Sequence, residues 1–104
     1  MKVILGDRRV GKTTKLIELA DNYNGYIVVH SVKNAQQVFN MAREMGKKIN
    51  MPITFYEFMH HQYGYRCRHF YIDDIDLCLG QLSQFEIKAV TLTTGELIDV
   101  NKDS

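Results

Sequence analysis

Two periods organise the hydrophobic and polar positions of this chain. Lys2-Val3-Ile4-Leu5 and Tyr26-Ile27-Val28-Val29-His30 are short, nearly unbroken apolar runs, the pattern of strands buried in a parallel sheet. Between them Leu16, Ile17, Leu19, Ala20 and Tyr23 recur at helical spacing, so a helix is expected to cross over between the two strands. Asp21-Asn22-Tyr23-Asn24-Gly25 is dense in turn formers and closes that crossover.

The helical period returns with Ala35, Val38, Phe39, Ala42 and Met45 on one face and Gln36, Gln37, Asn40, Arg43 and Glu44 on the other. Ser31 or Asn34 caps its start, and Gly46 offers its stop. Pro52 separates this unit from the next element. Ile53 to Phe55 has the length of a very short strand. Thr54 and Glu57 have the spacing of a capping box, which predicts a short helix from about Phe55 to Gln62, ending before Gly64. His69-Phe70-Tyr71-Ile72 then forms an apolar strand delivering two adjacent acids, Asp73 and Asp74. A short helix is expected over Asp76 to Ser83, with Gly80 weakening its middle, and a last strand over Ile87 to Thr94. The tail from Gly95 onward is expected to cap an edge or fray.

Candidate chemistry changes this picture most at Gly6-Asp7-Arg8-Arg9-Val10-Gly11-Lys12-Thr13-Thr14, which matches G-x-x-x-x-G-K-[ST] at every fixed position. Glycines at that spacing let the backbone curl against an anion, with its N–H groups pointed at phosphate oxygens. Lys12 is placed to reach β- and γ-phosphates, Thr13 to ligate Mg²⁺, and the helix amino terminus to favour the anion. Asp73, some 60 residues downstream, is the expected second metal-holding group, and Asp74 stands where a base or water-positioning group is wanted.

With these stretches placed, the chain resembles the P-loop NTPases, and within them the RecA-like, helicase and AAA+ branch. The phosphate loop stands for the Walker A motif and His69-Phe70-Tyr71-Ile72-Asp73-Asp74 resembles a Walker B segment. The resemblance implies a three-layer α/β/α fold around a mostly parallel sheet of four to five strands, a minimal core occupying residues 1–104 as one domain with 95–104 as a tail. It implies ATP or another NTP with Mg²⁺ as cofactors, Lys12 and Asp74 as catalytic residues, and Thr13 and Asp73 at the metal. It also implies a γ-phosphate sensor at the end of the strand after Walker B, where Thr93 or Thr94 stands. Three departures qualify it: the acid after the Walker B Asp is usually Glu and is Asp74 here, a fifth core strand is not expected, and neither is a lid or carboxyl-terminal helical domain.

Composition narrows the partners. A chain of 104 residues with 45% hydrophobic and 24% charged residues has the make-up of a soluble globular domain. A formal charge of +1 makes no global electrostatic case for nucleic acid or an anionic membrane. No apolar run reaches membrane-spanning length and no signal peptide opens the chain, so a cytoplasmic location is expected, the bacterial host's if the small size reflects a phage genome. Cys67 and Cys78 are expected as reduced thiols. His60, His61, Cys67, His69 and Cys78 match none of the usual closed zinc spacings. Met41, Met45, Met51 and Met59 are expected as core filler.

Two basic stretches stay open between readings. Arg8 and Arg9 are either solvated or in contact with phosphate or a partner subunit. Arg66, Cys67, Arg68 and His69, following Tyr63 and Tyr65, read either as a solvated loop or as a stacking and neutralising surface for single-stranded DNA. The function expected is an Mg²⁺-dependent ATP-binding protein, a slow or partner-activated ATPase that couples nucleotide state to a protein or DNA partner. A homo-oligomer or other protein partner would supply an arginine. The alternatives are a non-hydrolysing nucleotide-binding module and, lower in rank, a small nucleotide kinase, for which about 90 residues after the loop leave little room for a lid and an acceptor pocket.

Overall fold

The computed structural model describes residues 1–6, 11–64, 69–83 and 86–100. Among them the fold is α/β, with strands β1 (Lys2–Leu5), β2 (Tyr26–Val29), β3 (Ile53–Thr54), β4 (Phe70–Ile72) and β5 (Glu96–Asp99). The helices are α1 (Lys12–Ala20), α2 (Val32–Glu44), α3 (Phe55–Met59) and α4 (Ile75–Leu82). All strand pairings are parallel, but they fall into two sheets, β3-β2-β4 and β1-β5, where one sheet of four to five strands was expected. No helix of the described residues is long and apolar enough to cross a membrane.

β2 is the central strand, and its unbroken apolar run follows from cover on both faces. Ile27 and Val29 join Leu16, Ile17 and Ala20 of α1, Ala35, Val38 and Ala42 of α2, and Ile49 in one cluster. Val28 points the other way, into a cluster with Ile53, Phe55 of α3 and Cys78 of α4. Tyr26, Phe58, Tyr63 and Phe70 pack against that second cluster, with ring centroids of Tyr63 and Phe70 4.9 Å apart. β1 is less covered than the buried strand its run predicts: Val3 and Ile4 are half-buried and Leu5 is exposed, and among the described residues β1 pairs with β5 alone.

Local chemistry sets the element ends. Ser31, and not Asn34, caps α2, its hydroxyl accepting from the Asn34 N–H at 3.2 Å, and Gly46 closes that helix at φ 72°. Thr54 and Glu57 form the capping box in both directions, at 3.1 and 2.9 Å. α3 ends at Met59, earlier than Gln62, because His61 turns into the left-handed region at φ 56°. Tyr23 is no part of the apolar face of α1; it lies past the helix end, exposed, at φ 60°.

The largest difference concerns the last strand. Residues 86–94 are exposed and outside any strand, while Glu96–Asp99, expected as tail, pairs in register with Lys2–Leu5. Thr94 Oγ1 donates to the Met1 carbonyl at 2.9 Å and accepts from the Glu96 N–H at 3.2 Å, and Val100 N–H bonds to the Leu5 carbonyl at 2.9 Å. The free edge of β1 is thereby taken by the run that follows the Thr94 turn. The methionines differ as well: Met45 packs on the core, whereas Met41, Met51 and Met59 are exposed.

Candidate functional site

The site forms where the carboxyl ends of β2 and β4 meet the amino end of α1. Gly6 follows β1, and Gly11 sits at φ 91°, a left-handed conformation that disfavours any residue with a Cβ. Gly11 brings no side chain to cap α1, and a helix amino terminus of this kind suits an anion. Lys12, Thr13 and Thr14 open α1, and its first backbone bond runs from Lys15 N–H to the Gly11 carbonyl at 3.0 Å. Asp7, Arg8, Arg9 and Val10 lie outside the described residues.

β4 delivers the acids. Asp73 N–H extends the β2–β4 ladder by bonding the Val28 carbonyl at 2.9 Å, which fixes where its carboxylate stands. Thr13 Oγ1 donates to Asp73 Oδ2 at 2.8 Å, joining residues 60 positions apart. Asp73 is only 3% exposed, so burial pushes its carboxyl above the usual carboxylate range, and the Thr13 hydroxyl partly offsets this. Asp74 raises it further, while Lys12 and His30 act in the opposite sense. Asp74 itself adopts φ 51° at the start of α4 without capping that helix by its side chain. Its carboxylate pairs instead with Lys12 Nζ at 3.7 Å, both side chains about one third exposed.

His30 escaped the sequence reading. It is two residues past Val28 just as Asp74 is two past Ile72, and Val28 pairs with Ile72, so the ladder brings His30 level with the acids. Its Nδ1 accepts from Asn34 Nδ2 at 3.3 Å in the amide orientation given, which ties the ring to the first turn of α2. Only the strand order could have found it.

Thr93 is not brought to this site. It precedes Thr94, which is bonded to the Met1 carbonyl, at the opposite end of β1 from the loop. At roughly 3.3 Å per residue the intervening strand spans about 15 Å. Thr93 and Thr94 are therefore no γ-phosphate sensors in this arrangement, because the strand that was to carry them does not form.

Tyr63 is half-buried and packs against Phe58 and Phe70; residues 65–68 are outside the described residues. Among the described residues no three His, Cys, Asp or Glu side chains converge on a metal position. Cys78 is a free, buried thiol whose Sγ bonds the Asp73 carbonyl at 3.5 Å, and burial pushes it up to about 11.

The chain matches no protein-family model, no curated protein and no solved structure. A functional reading therefore rests on the site alone.

Proposed function

We propose that this chain is a P-loop-type nucleotide-binding protein, a slow or partner-activated Mg²⁺-dependent ATPase whose nucleotide state alters its contact with a protein or DNA partner. The observation that carries the proposal is the Thr13–Asp73 hydrogen bond at 2.8 Å, which links the loop threonine to the acid at the end of β4. A loop motif and an acidic strand end are separately common. Their convergence within side-chain reach is what an Mg-nucleotide site requires.

The donor set suits the metal: Thr13 Oγ1, Asp73 and Asp74 are hard oxygen groups, and Mg²⁺ is usually held by one or two carboxylates with phosphate and water completing its shell. Thr13 and Asp73 would hold it, and Mg²⁺ so placed would neutralise charge on the β- and γ-phosphates. Lys12 is the cation that would meet the phosphates. Paired with Asp74 at 3.7 Å in the free chain, it would exchange that partner for phosphate oxygens, releasing Asp74 to orient an attacking water. In this reading the two sheets are parts of a three-layer α/β/α core, supported by helices of different clusters on the two faces of β2.

The chain would turn over slowly alone. The arginine among the described residues is Arg43, in the last turn of α2, a helix of 13 residues that runs roughly 20 Å away from the site. Acceleration would then require Arg8, Arg9 or Arg66 from a neighbouring copy, or an arginine of another protein. A non-hydrolysing module is the second reading, favoured by the Lys12–Asp74 pair, which occupies the carboxylate that hydrolysis needs. Titration with a fluorescent ATP analogue in Mg²⁺, for the chain and for Lys12→Ala, tests the proposal, followed by phosphate release with and without single-stranded DNA. Binding lost in the variant with slow or DNA-stimulated release is expected. Binding without release under any condition would leave the sensing module, and no binding would overturn both.

A further inference from the structure

A second place in the fold brings an aromatic ring and cations together, at the carboxyl ends of α1 and α2 and so at the opposite end of these helices from the phosphate loop. The lining of an open groove of about 370 Å³ there includes the apolar Phe39 and Ile49, the cationic Arg43, Lys47 and Lys48, and Tyr23. Its volume falls within the roughly 300–1,000 Å³ of small-ligand sites.

Tyr23 is presented, not tolerated. It is 61% exposed at φ 60°, the second of two consecutive left-handed residues after Asn22 at φ 63°, a conformation strained for a bulky side chain. One tertiary and one local bond hold it there: Tyr23 N–H donates to the Lys48 carbonyl at 2.9 Å, and its own carbonyl accepts from Gly25 N–H, two residues on, at 3.0 Å. Lys48 N–H in turn bonds Asp21 Oδ1 at 2.8 Å, and that bond keeps the Asp21 carboxyl below its usual range. The loop carrying the lysines and the loop carrying the tyrosine are thereby fixed as one surface.

The groove carries cationic capacity to spare. Asp21 pairs with Lys47 at 3.8 Å, and the other acids of these two helix ends are Glu18, in the last turn of α1, and Glu44, in the last turn of α2. Arg43 and Lys48 form no ion pair among the described residues. They are not needed to satisfy the end of α2 either, because the N–H groups of Met45, Gly46 and Lys47 bond the carbonyls of Met41, Arg43 and Ala42. An exposed rigid ring beside uncommitted cations matches a ligand that is flat and apolar at one end and anionic at the other, repeated along a chain.

We propose that this groove binds single-stranded nucleic acid, one base stacking on Tyr23 while the adjoining phosphates engage Lys48 and Arg43. A single strand is favoured over a duplex, whose bases are already stacked, and over an acidic peptide, which makes no use of the ring. The site stands apart from the phosphate loop and does not depend on nucleotide binding there.

Fluorescence anisotropy of a labelled oligothymidylate against the whole chain, without nucleotide, tests this. Tyr23→Ala is expected to weaken binding roughly 5- to 150-fold, the range that loss of one base–aromatic stack produces, and Tyr23→Phe to restore it. Lys48→Ala is expected to lower the slope of log affinity against log salt by about 0.7. Lys12→Ala should leave binding unchanged, which separates this site from the nucleotide site. Both groove positions are exposed, and thermal melts of the variants confirm folding. The proposal is overturned if the chain binds no oligonucleotide up to about 100 μM, if Tyr23→Ala binds as the parent does, or if a duplex or heparin competes as well as the single strand.

Discussion

Replacing Thr13 by Val removes one hydroxyl with little change of shape and isolates the contact on which the functional reading rests. The acceptor is Asp73 Oδ2 at 2.8 Å on a residue 3% exposed, so water cannot freely replace the lost donor. A hydrogen bond to a charged group contributes about 1.5–3 kcal/mol, which sets the expected loss of folding stability at pH 7. For a domain of this size that lowers the thermal midpoint by roughly 6–24 °C. In an Asp73→Asn background the acceptor is neutral, and the same Thr13→Val change should cost only about 0.5–1.5 kcal/mol. The assay is urea unfolding of the four chains of this double-mutant cycle, with the denaturant slope checked for constancy. Equal costs in the two backgrounds, or a Thr13→Val chain as stable as the parent, would refute the argument that the loop threonine and the strand acid act as a pair.

The same carboxylate makes stability depend on pH in a defined sense. Burial raises the folded-state value of Asp73 above its ordinary 3.8, so its favourable contribution is complete below 3.8 and is lost as pH rises through the folded value. Asp73→Asn is therefore expected to gain on the parent chain as pH rises from 4 to neutrality, read from denaturant midpoints; a parallel pair of curves would contradict it. Gly25→Ala places a Cβ 2.3 Å from the His69 carbonyl oxygen at φ 90°, and should cost at least about 2 kcal/mol. Gly46→Ala, at φ 72° with nothing within 4 Å, should cost only the backbone strain of about 1 kcal/mol, and urea midpoints compare the two. In a Cys67→Ser chain, Cys78, fully buried with its thiol pushed up to about 11, should react with a thiol reagent at pH 8 only through unfolding. Rapid labelling of the folded chain would disprove that placement.

The sequence by itself determined what is local. Ser31 or Asn34, of which the fold uses Ser31, and the Thr54–Glu57 pair announce helix starts because a capping bond spans only three residues. The apolar run of β2 announces a strand covered on both faces, and Ala35, Val38 and Ala42 announce the buried stripe of α2. The glycine spacing before Lys12, and the acids after Ile72, name the residues of the candidate site for the same reason: each stretch has its chemistry within a few positions.

Tertiary structure decided whatever depends on which edges and ends meet. Ile87–Thr94 reads as a strand and Glu96–Asp99 as tail, yet it is Glu96–Asp99 that pairs with β1, leaving Thr93 at the far end of β1 from the loop. His30 joins the acids solely because β2 pairs with β4. The raised Asp73 carboxyl exists because packing removes its water, and the exposure of Tyr23 at a left-handed position exists because Lys48, 25 residues later, holds its backbone there. Periodicity reports the environment a side chain wants along its own element. Pairing across the fold determines which neighbour it receives.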